Sequence, residues 1–174
     1  MPRFQTVRRT HYPPSAMCAL VADVARYPEF LPLCESLKVL SRTPAAGGTE
    51  IIVARMTVGY GPLHESFTSR VVVDKALNQI DVTYLDGPFR QLHNRWLFKP
   101  APQGCDIDFD IAYEFRSLTL QVLLGAMFDR AFRKFADAFE ARARKIYGLS
   151  TGADSVKSED ISPVSSSPVL RPVR

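Results

Sequence analysis

The stretch from about Leu118 to Tyr147 reads as one uninterrupted amphipathic helix, and it limits the fold more than any other part of the chain. On a 3.6-residue wheel Leu120, Leu124, Met127, Phe128, Ala131, Phe135, Ala138 and Phe139 fall in one arc. Asp129, Arg130, Arg133, Lys134, Asp137, Glu140 and Arg144 occupy the other, and Arg142, Arg144 and Lys145 near its end suit the helix dipole. At roughly 40 Å by its rise per residue, such a helix can lie across a whole curved sheet. A sheet with one apolar face needs that cover.

The rest of the chain supplies the sheet. Residues 3 to 11 read as a first strand, and "PPSAMCALVADVARY" then gives a short helix with Leu20, Val21 and Val24 on one face, ended by Pro28 and Pro32. From residue 35 to 116 the pattern turns to period 2, with turn signals at Pro44 to Gly48, Gly59 to Pro62, Leu77 to Asn78, Asp86 to Pro88 and Pro100 to Gly104. The cleanest run is "CDIDFDIAYEF", where Ile107, Phe109, Ile111, Tyr113 and Phe115 alternate with Asp106, Asp108, Asp110, Ala112 and Glu114. That alternation means one face buried and one solvated, as in an antiparallel sheet. Its aspartates lack the glycine of a calcium loop and read as a solubilising edge.

Composition bounds the function. The chain has 174 residues, 46% hydrophobic and 23% charged, which suits one domain that needs neither disulfide nor metal. The net charge of +4 comes from scattered basic residues, not from a nucleic-acid arm, so DNA is not an expected partner. Cys18, Cys34 and Cys105 are widely spaced, as expected of reduced thiols in a cytoplasmic protein. His11, His64 and His93 are isolated, so neither a metal site nor a catalytic cofactor is expected. No segment reads as a signal peptide or a spanning helix. From about Leu149 the Ser- and Pro-rich "LSTGADSVKSEDISPVSSSPVLRPVR" reads as a disordered tail, which leaves residues 1–148 as the domain and 149–174 as the appendage.

One loop is unusually apolar. "RYPEFLPLC", residues 26 to 34, concentrates aromatic, proline and leucine side chains directly after the first helix. Together with "LVADVARYPEFLPLC", the segments "ESFTSRV" and "GPFRQLHNRWLF" closely resemble the coenzyme Q-binding, START-like family of the polyketide cyclase and lipid transport superfamily, over residues 3 to 147. The resemblance implies an α+β helix-grip fold. In it a curved seven-stranded antiparallel sheet wraps a long C-terminal helix, a short helix pair follows strand 1, and a cavity lies between sheet and helix. It also implies non-catalytic binding of ubiquinone or a related polyprenyl lipid, in support of respiration or ubiquinone biosynthesis. The expected place is the cytoplasm, peripherally at the inner face of the bacterial inner membrane, with a transient membrane surface as partner. Bacterial ribosome-association toxins belong to the same family, so ribosome association is the alternative, and a cyclase or dehydratase activity is a second. The family commonly has Trp where this chain has Leu33, which puts an aromatic stacking role there in doubt.

Parity along the strands, with the apolar side inward, gives the candidate wall. Met56, Val58 and Tyr60 face in from the third strand, Phe67, Ser69 and Val71 from the fourth, and Val82 and Tyr84 from the fifth. Asn94, Trp96 and Phe98 follow from the sixth, Ile111 and Tyr113 from the seventh, and Met127 from the long helix. An apolar wall with sparse hydroxyls and one amide fits a greasy ligand carrying a few oxygens. Asn94, Tyr60, Tyr84 or Tyr113 would donate to its head group, with Trp96 packing on the ring. Tyr27, Phe30, Leu31 and Leu33 would form a lid, stiffened by Pro28 and Pro32. Catalysis would want a pocket acid or base. By parity Asp81, Arg55, Arg70, His93 and Arg95 point outward and only Glu65 points in, near a strand end, where a β-bulge beside Gly59 or Gly61 would reverse the assignment.

Overall fold

A computed structural model describes residues 2–148. The tail expected to be disordered lies outside the described residues. Strand β1 (Arg3–Thr10) leads into helix α1 (Pro14–Ala22) and a 3₁₀ helix (Val24–Glu29). Strands β2 (Cys34–Pro44), β3 (Thr49–Tyr60), β4 (Leu63–Asp74), β5 (Gln79–Asp86), β6 (Phe89–Ala101) and β7 (Gly104–Phe115) follow, and helix α2 (Leu118–Tyr147) closes the described chain. The strands form one seven-stranded sheet in the order β1-β7-β6-β5-β4-β3-β2, and every pairing is antiparallel. This is the helix-grip fold.

Alternation does what it predicts in β7, whose apolar positions are buried one after another beneath α2. The expected solubilising edge needs correction, because β7 lies inside the sheet, between β1 and β6. Its aspartates are cross-strand partners: Asp110 takes Arg3, Asp106 takes Arg9 at 2.9 Å, and Asp108 takes Lys99 at 3.4 Å. Hydrogen bonds from Arg3 and Arg9 hold the Asp110 and Asp106 carboxyls below the ordinary carboxylate range.

Register shifts between Cys34 and Ser36, Val39 and Ser41, Thr68 and Ser69, and Phe89 and Gln91 bend the sheet around α2. The last shift turns both Phe89 and Leu92 into the core. At the β5–β6 turn Gly87 has φ +139°, and a side chain there would approach the Phe67 Cβ to 2.7 Å. Glycine lets that turn close onto the core.

The first helix is shorter than its composition predicts. It stops at Ala22, and Pro28 sits inside the 3₁₀ helix that follows instead of ending α1. Helix α2 begins on Ser117, whose side chain accepts from the Leu120 N–H at 3.4 Å. Its far end is tied down by Tyr12 Oη donating to the Gly148 carbonyl at 2.6 Å and Tyr147 Oη donating to the Ala16 carbonyl at 3.0 Å. Arg142 joins α2 to the 3₁₀ helix through Glu29 at 2.7 Å, with its guanidinium over the Phe30 ring. The cysteines are free and buried, and burial pushes each thiol up to about 11.

Candidate functional site

Side chains do not fill the space between the concave sheet face and α2. The cavity there has a volume of about 120 Å³ and is open to solvent on one side. From the sheet it is lined by Met56, Val58, Phe67, Ser69, Val71, Val82, Asn94, Trp96 and Ile111. Tyr27, Leu31 and Leu33 border it from the loop side. Phe128, Ala131, Phe132, Phe135 and Phe139 close it from α2. Small side chains facing each other, Ala54 and Ser69 against Ala131, leave the room.

Other residues of the expected site lie elsewhere, for identifiable reasons. Tyr60 ends β3 outside the cavity, at the rim beside α2, and is 61% exposed. Tyr113 is inward but lies under α2, where its hydroxyl donates to the Gly125 carbonyl at 3.2 Å and bonds Asp129 at 3.2 Å. Burial, then Asp129, raises its pKa. Tyr84 packs edge-on against Phe89. Phe98 stacks on Trp96 one step past the wall, parallel to within 7°. Met127 faces a separate crevice with Tyr60 and Leu63. Phe30 packs on Phe139 at 5.2 Å, so it props the loop and does not line the cavity. Glu65 also lies on that separate crevice. No bulge alters this end, since β3 and β4 stay in register through Tyr60 opposite Leu63.

Phe132 sits four positions after Phe128 and three before Phe135, so helical spacing marks it as part of the same arc. Phe109 carries the same inward parity as Ile111. Val24, Pro32 and Leu37 line the cavity because of how the loop and β2 fold over its rim, which no periodicity reveals.

Polar groups on the wall are few. Asn94 donates from Nδ2 to the Asp110 carbonyl at 2.9 Å, and its Oδ1 accepts from Trp96 Nε1 at 2.8 Å. That pair locks the indole, which also touches Phe109 and Phe139 with ring centres at 4.4 and 5.1 Å. The Asn94 amide still has a second N–H to give. Across the wall, the Ser69 Oγ is buried with no hydrogen-bond partner, and so is the Oη of Tyr84, its register partner on β5. A buried hydroxyl without a partner is uncommon in a native protein and points to a group that would complete it. Tyr27, the one acid on the wall, donates its hydroxyl to the Val21 carbonyl, and burial raises its pKa. Asp81 lies on the outer face with Arg95 at 2.8 Å and His93 at 3.8 Å. Among the described residues no cluster of His, Cys, Asp or Glu could hold a metal, and no helix is long and apolar enough to cross a membrane. Chemically, this is a site for enclosing apolar matter and meeting one or two oxygens.

Residues 10–140 match the family described as polyketide cyclase / dehydrase and lipid transport. The chain belongs to that family. Among its relatives, the ribosome association toxin RatA of Pseudomonas aeruginosa is 36% identical over 138 residues, 79% of this chain and 92% of the toxin. A mitochondrial coenzyme Q-binding protein, COQ10 homolog B of Xenopus laevis, is 34% identical over 137 residues, 76% of this chain and 54% of that protein. The solution structure of the 18 kDa protein CC1736 of Caulobacter crescentus superposes with a TM-score of 0.71 at 34% identity, covering 85% of this chain and 99% of the other. The polyketide cyclase and lipid transport family thus includes relatives named as a toxin and as a coenzyme Q-binding protein.

Proposed function

We propose that this chain binds ubiquinone or a closely related polyprenyl quinone in the cavity and carries it without reacting on it, in support of quinone delivery in respiration or of ubiquinone biosynthesis. The observation that carries this reading is that one largely apolar cavity is lined by both the unpartnered Ser69 hydroxyl and the Asn94 amide. A quinone ring presents carbonyl and ether oxygens to such groups and an apolar tail to the rest. Burying a five-carbon isoprene unit contributes on the order of 3 to 4 kcal/mol before ordering costs, so two or three units suffice for micromolar binding. Ser69 and Asn94 then set orientation more than affinity. The relative named as a coenzyme Q-binding protein supports the same ligand class.

The wall supports a non-catalytic role. General acid–base chemistry on a bound polyketide would need a titratable group within hydrogen-bond reach, and the Tyr27 hydroxyl is already committed to a backbone carbonyl. The place of work would be the cytoplasm at the inner face of the bacterial inner membrane. Ribosome association is the second reading, favoured by the toxin-named relatives. Its surface would be the outer sheet face with Arg55, Arg70, Arg95 and Lys99. Arg95 and Lys99 are each paired with an aspartate, which halves the free positive charge there.

Purification from a quinone-producing host, followed by solvent extraction, tests the reading. A quinone with a redox-sensitive spectrum and a defined mass should appear at near-stoichiometric yield, and Trp96→Ala should lower that yield severalfold. An empty protein that also fails to take up added quinone would overturn it. Ribosome co-sedimentation that falls steeply with salt, from quinone-free protein, would establish the second reading in its place.

A further inference from the structure

Helix α2 presents an uncharged surface to solvent over its first turns. The stretch Leu118–Met127, "LTLQVLLGAM", contains no ionisable residue, yet Leu118, Val122 and Leu123 are 86, 79 and 55% exposed. Leu118, Val122, Ala126 and Arg130 recur at intervals of four and so form one stripe along the helix. Ala126 and Arg130 line an open depression together with Leu123, Lys134, the loop residue Leu33 and the exposed Tyr60 of the β3–β4 turn. Leu33, Pro32 and Ala131 border both this depression and the cavity, so the exposed apolar face is continuous with the cavity mouth.

Charge along the helix is segregated as well. Within the next two turns, after Phe128 and Asp129, come Arg130, Arg133 and Lys134, all exposed and none in an ion pair among the described residues. Of the acids nearby, Asp129 bonds the Tyr113 hydroxyl, and Glu35 holds His64 at 2.7 Å. A contiguous apolar patch rimmed by free cations is the pattern of an interfacial surface on an anionic bilayer.

We propose that this face docks on an anionic lipid bilayer, with Leu118, Val122, Leu123 and Tyr60 entering the headgroup–acyl boundary and Arg130, Arg133 and Lys134 meeting lipid phosphates. Docked so, the cavity mouth opens into the apolar layer, and a polyprenyl chain passes between bilayer and cavity without crossing water. The purpose of the surface rests on the quinone reading, but the surface itself does not.

Sedimentation of the full-length protein with phosphatidylcholine vesicles, with and without phosphatidylglycerol, tests the docking. Binding to the phosphatidylglycerol vesicles at low salt should be at least tenfold stronger than to phosphatidylcholine alone. Each of Arg130→Ser and Lys134→Ser should weaken it about fivefold. Val122→Glu and Leu123→Glu, at exposed positions that leave the core intact, should each abolish it. Quinone content of the same preparations separates the two ideas. Quinone-loaded protein that ignores anionic vesicles overturns the docking and leaves the cavity reading standing. Vesicle binding by protein that never holds quinone supports the docking while the cavity reading fails. Loss of ribosome co-sedimentation in Val122→Glu, with vesicle binding unchanged, assigns the face to the ribosome and overturns the proposal.

Discussion

Two neighbouring regions of the layer between sheet and α2 are built from the same kinds of side chain and end up opposite in character. Around Phe89, which is fully buried, the rings of Phe67, Tyr84, Phe115 and Phe128 close in at 5.3, 5.7, 4.7 and 6.2 Å. Toward Ser69, Asn94 and Ala131 the same layer opens into a cavity. Phe67 and Phe128 take part in both. Period, corrected at the register shifts, therefore decides which residues face inward, whereas side-chain size across the layer decides whether the inside is filled.

The largest effect that can break this comparison is expected at Phe89. Phe89→Ala removes the ring around which the others pack, in a region too tightly filled to collapse, and should destabilise the fold by about 3 to 5 kcal/mol. Urea unfolding monitored by circular dichroism would show it as a lowered midpoint at unchanged slope. A loss below about 1 kcal/mol would mean that the Phe89 region is as loosely packed as the cavity, and the distinction would fall.

On the cavity side the reverse substitution should be tolerated. Ala131→Leu adds bulk where the structure has room, so stability should change by less than about 1 kcal/mol, against the 1 to 3 kcal/mol usual for overpacking a full core. Quinone yield on extraction should nevertheless drop severalfold, because the added atoms take the ligand's place. If Ala131→Leu instead destabilises strongly with ligand content unchanged, the cavity is not where the ligand sits.

How much of this could be read beforehand differs by level. Strand positions and the α2 arc follow from periods that depend on local geometry alone, and successive strands separated by tight turns pair as neighbours through the run β2 to β7. The placing of β1 against β7 does not follow from any local signal, which is why the Asp106 to Asp110 run looked like an edge. Parity likewise puts Tyr60, Tyr113 and Met56 on one face without saying how far along the strand α2 extends over them. Tyr60 therefore ends at the exposed rim, Tyr113 under the helix backbone and Met56 on the cavity. Sequence neighbourhood puts Phe30 on the same rim as Leu31, but at the end of the 3₁₀ helix it packs onto Phe139.

The smallest effect is the most specific to the cavity, and it is a matter of sign. Two buried hydroxyls on the sheet are in contrasting situations. Thr10 Oγ1 accepts from the Tyr12 N–H at 3.0 Å, whereas Ser69 Oγ has no partner. Thr10→Val should therefore cost about 1 kcal/mol, the ordinary net value of a hydrogen bond plus part of the desolvation left on the N–H. Ser69→Ala removes only an unsatisfied group, so the ligand-free protein should be unchanged or more stable, by up to about 1 kcal/mol. Thermal unfolding of delipidated protein measures both. In the presence of saturating quinone the order for Ser69→Ala should invert, because wild type gains a hydrogen bond from the ligand that the variant cannot make, and binding adds to stability in proportion to the logarithm of affinity. A Ser69→Ala protein that is less stable than wild type without ligand would mean the hydroxyl already has a partner within the fold. The cavity would then be apolar throughout, with no group left over to orient a head group.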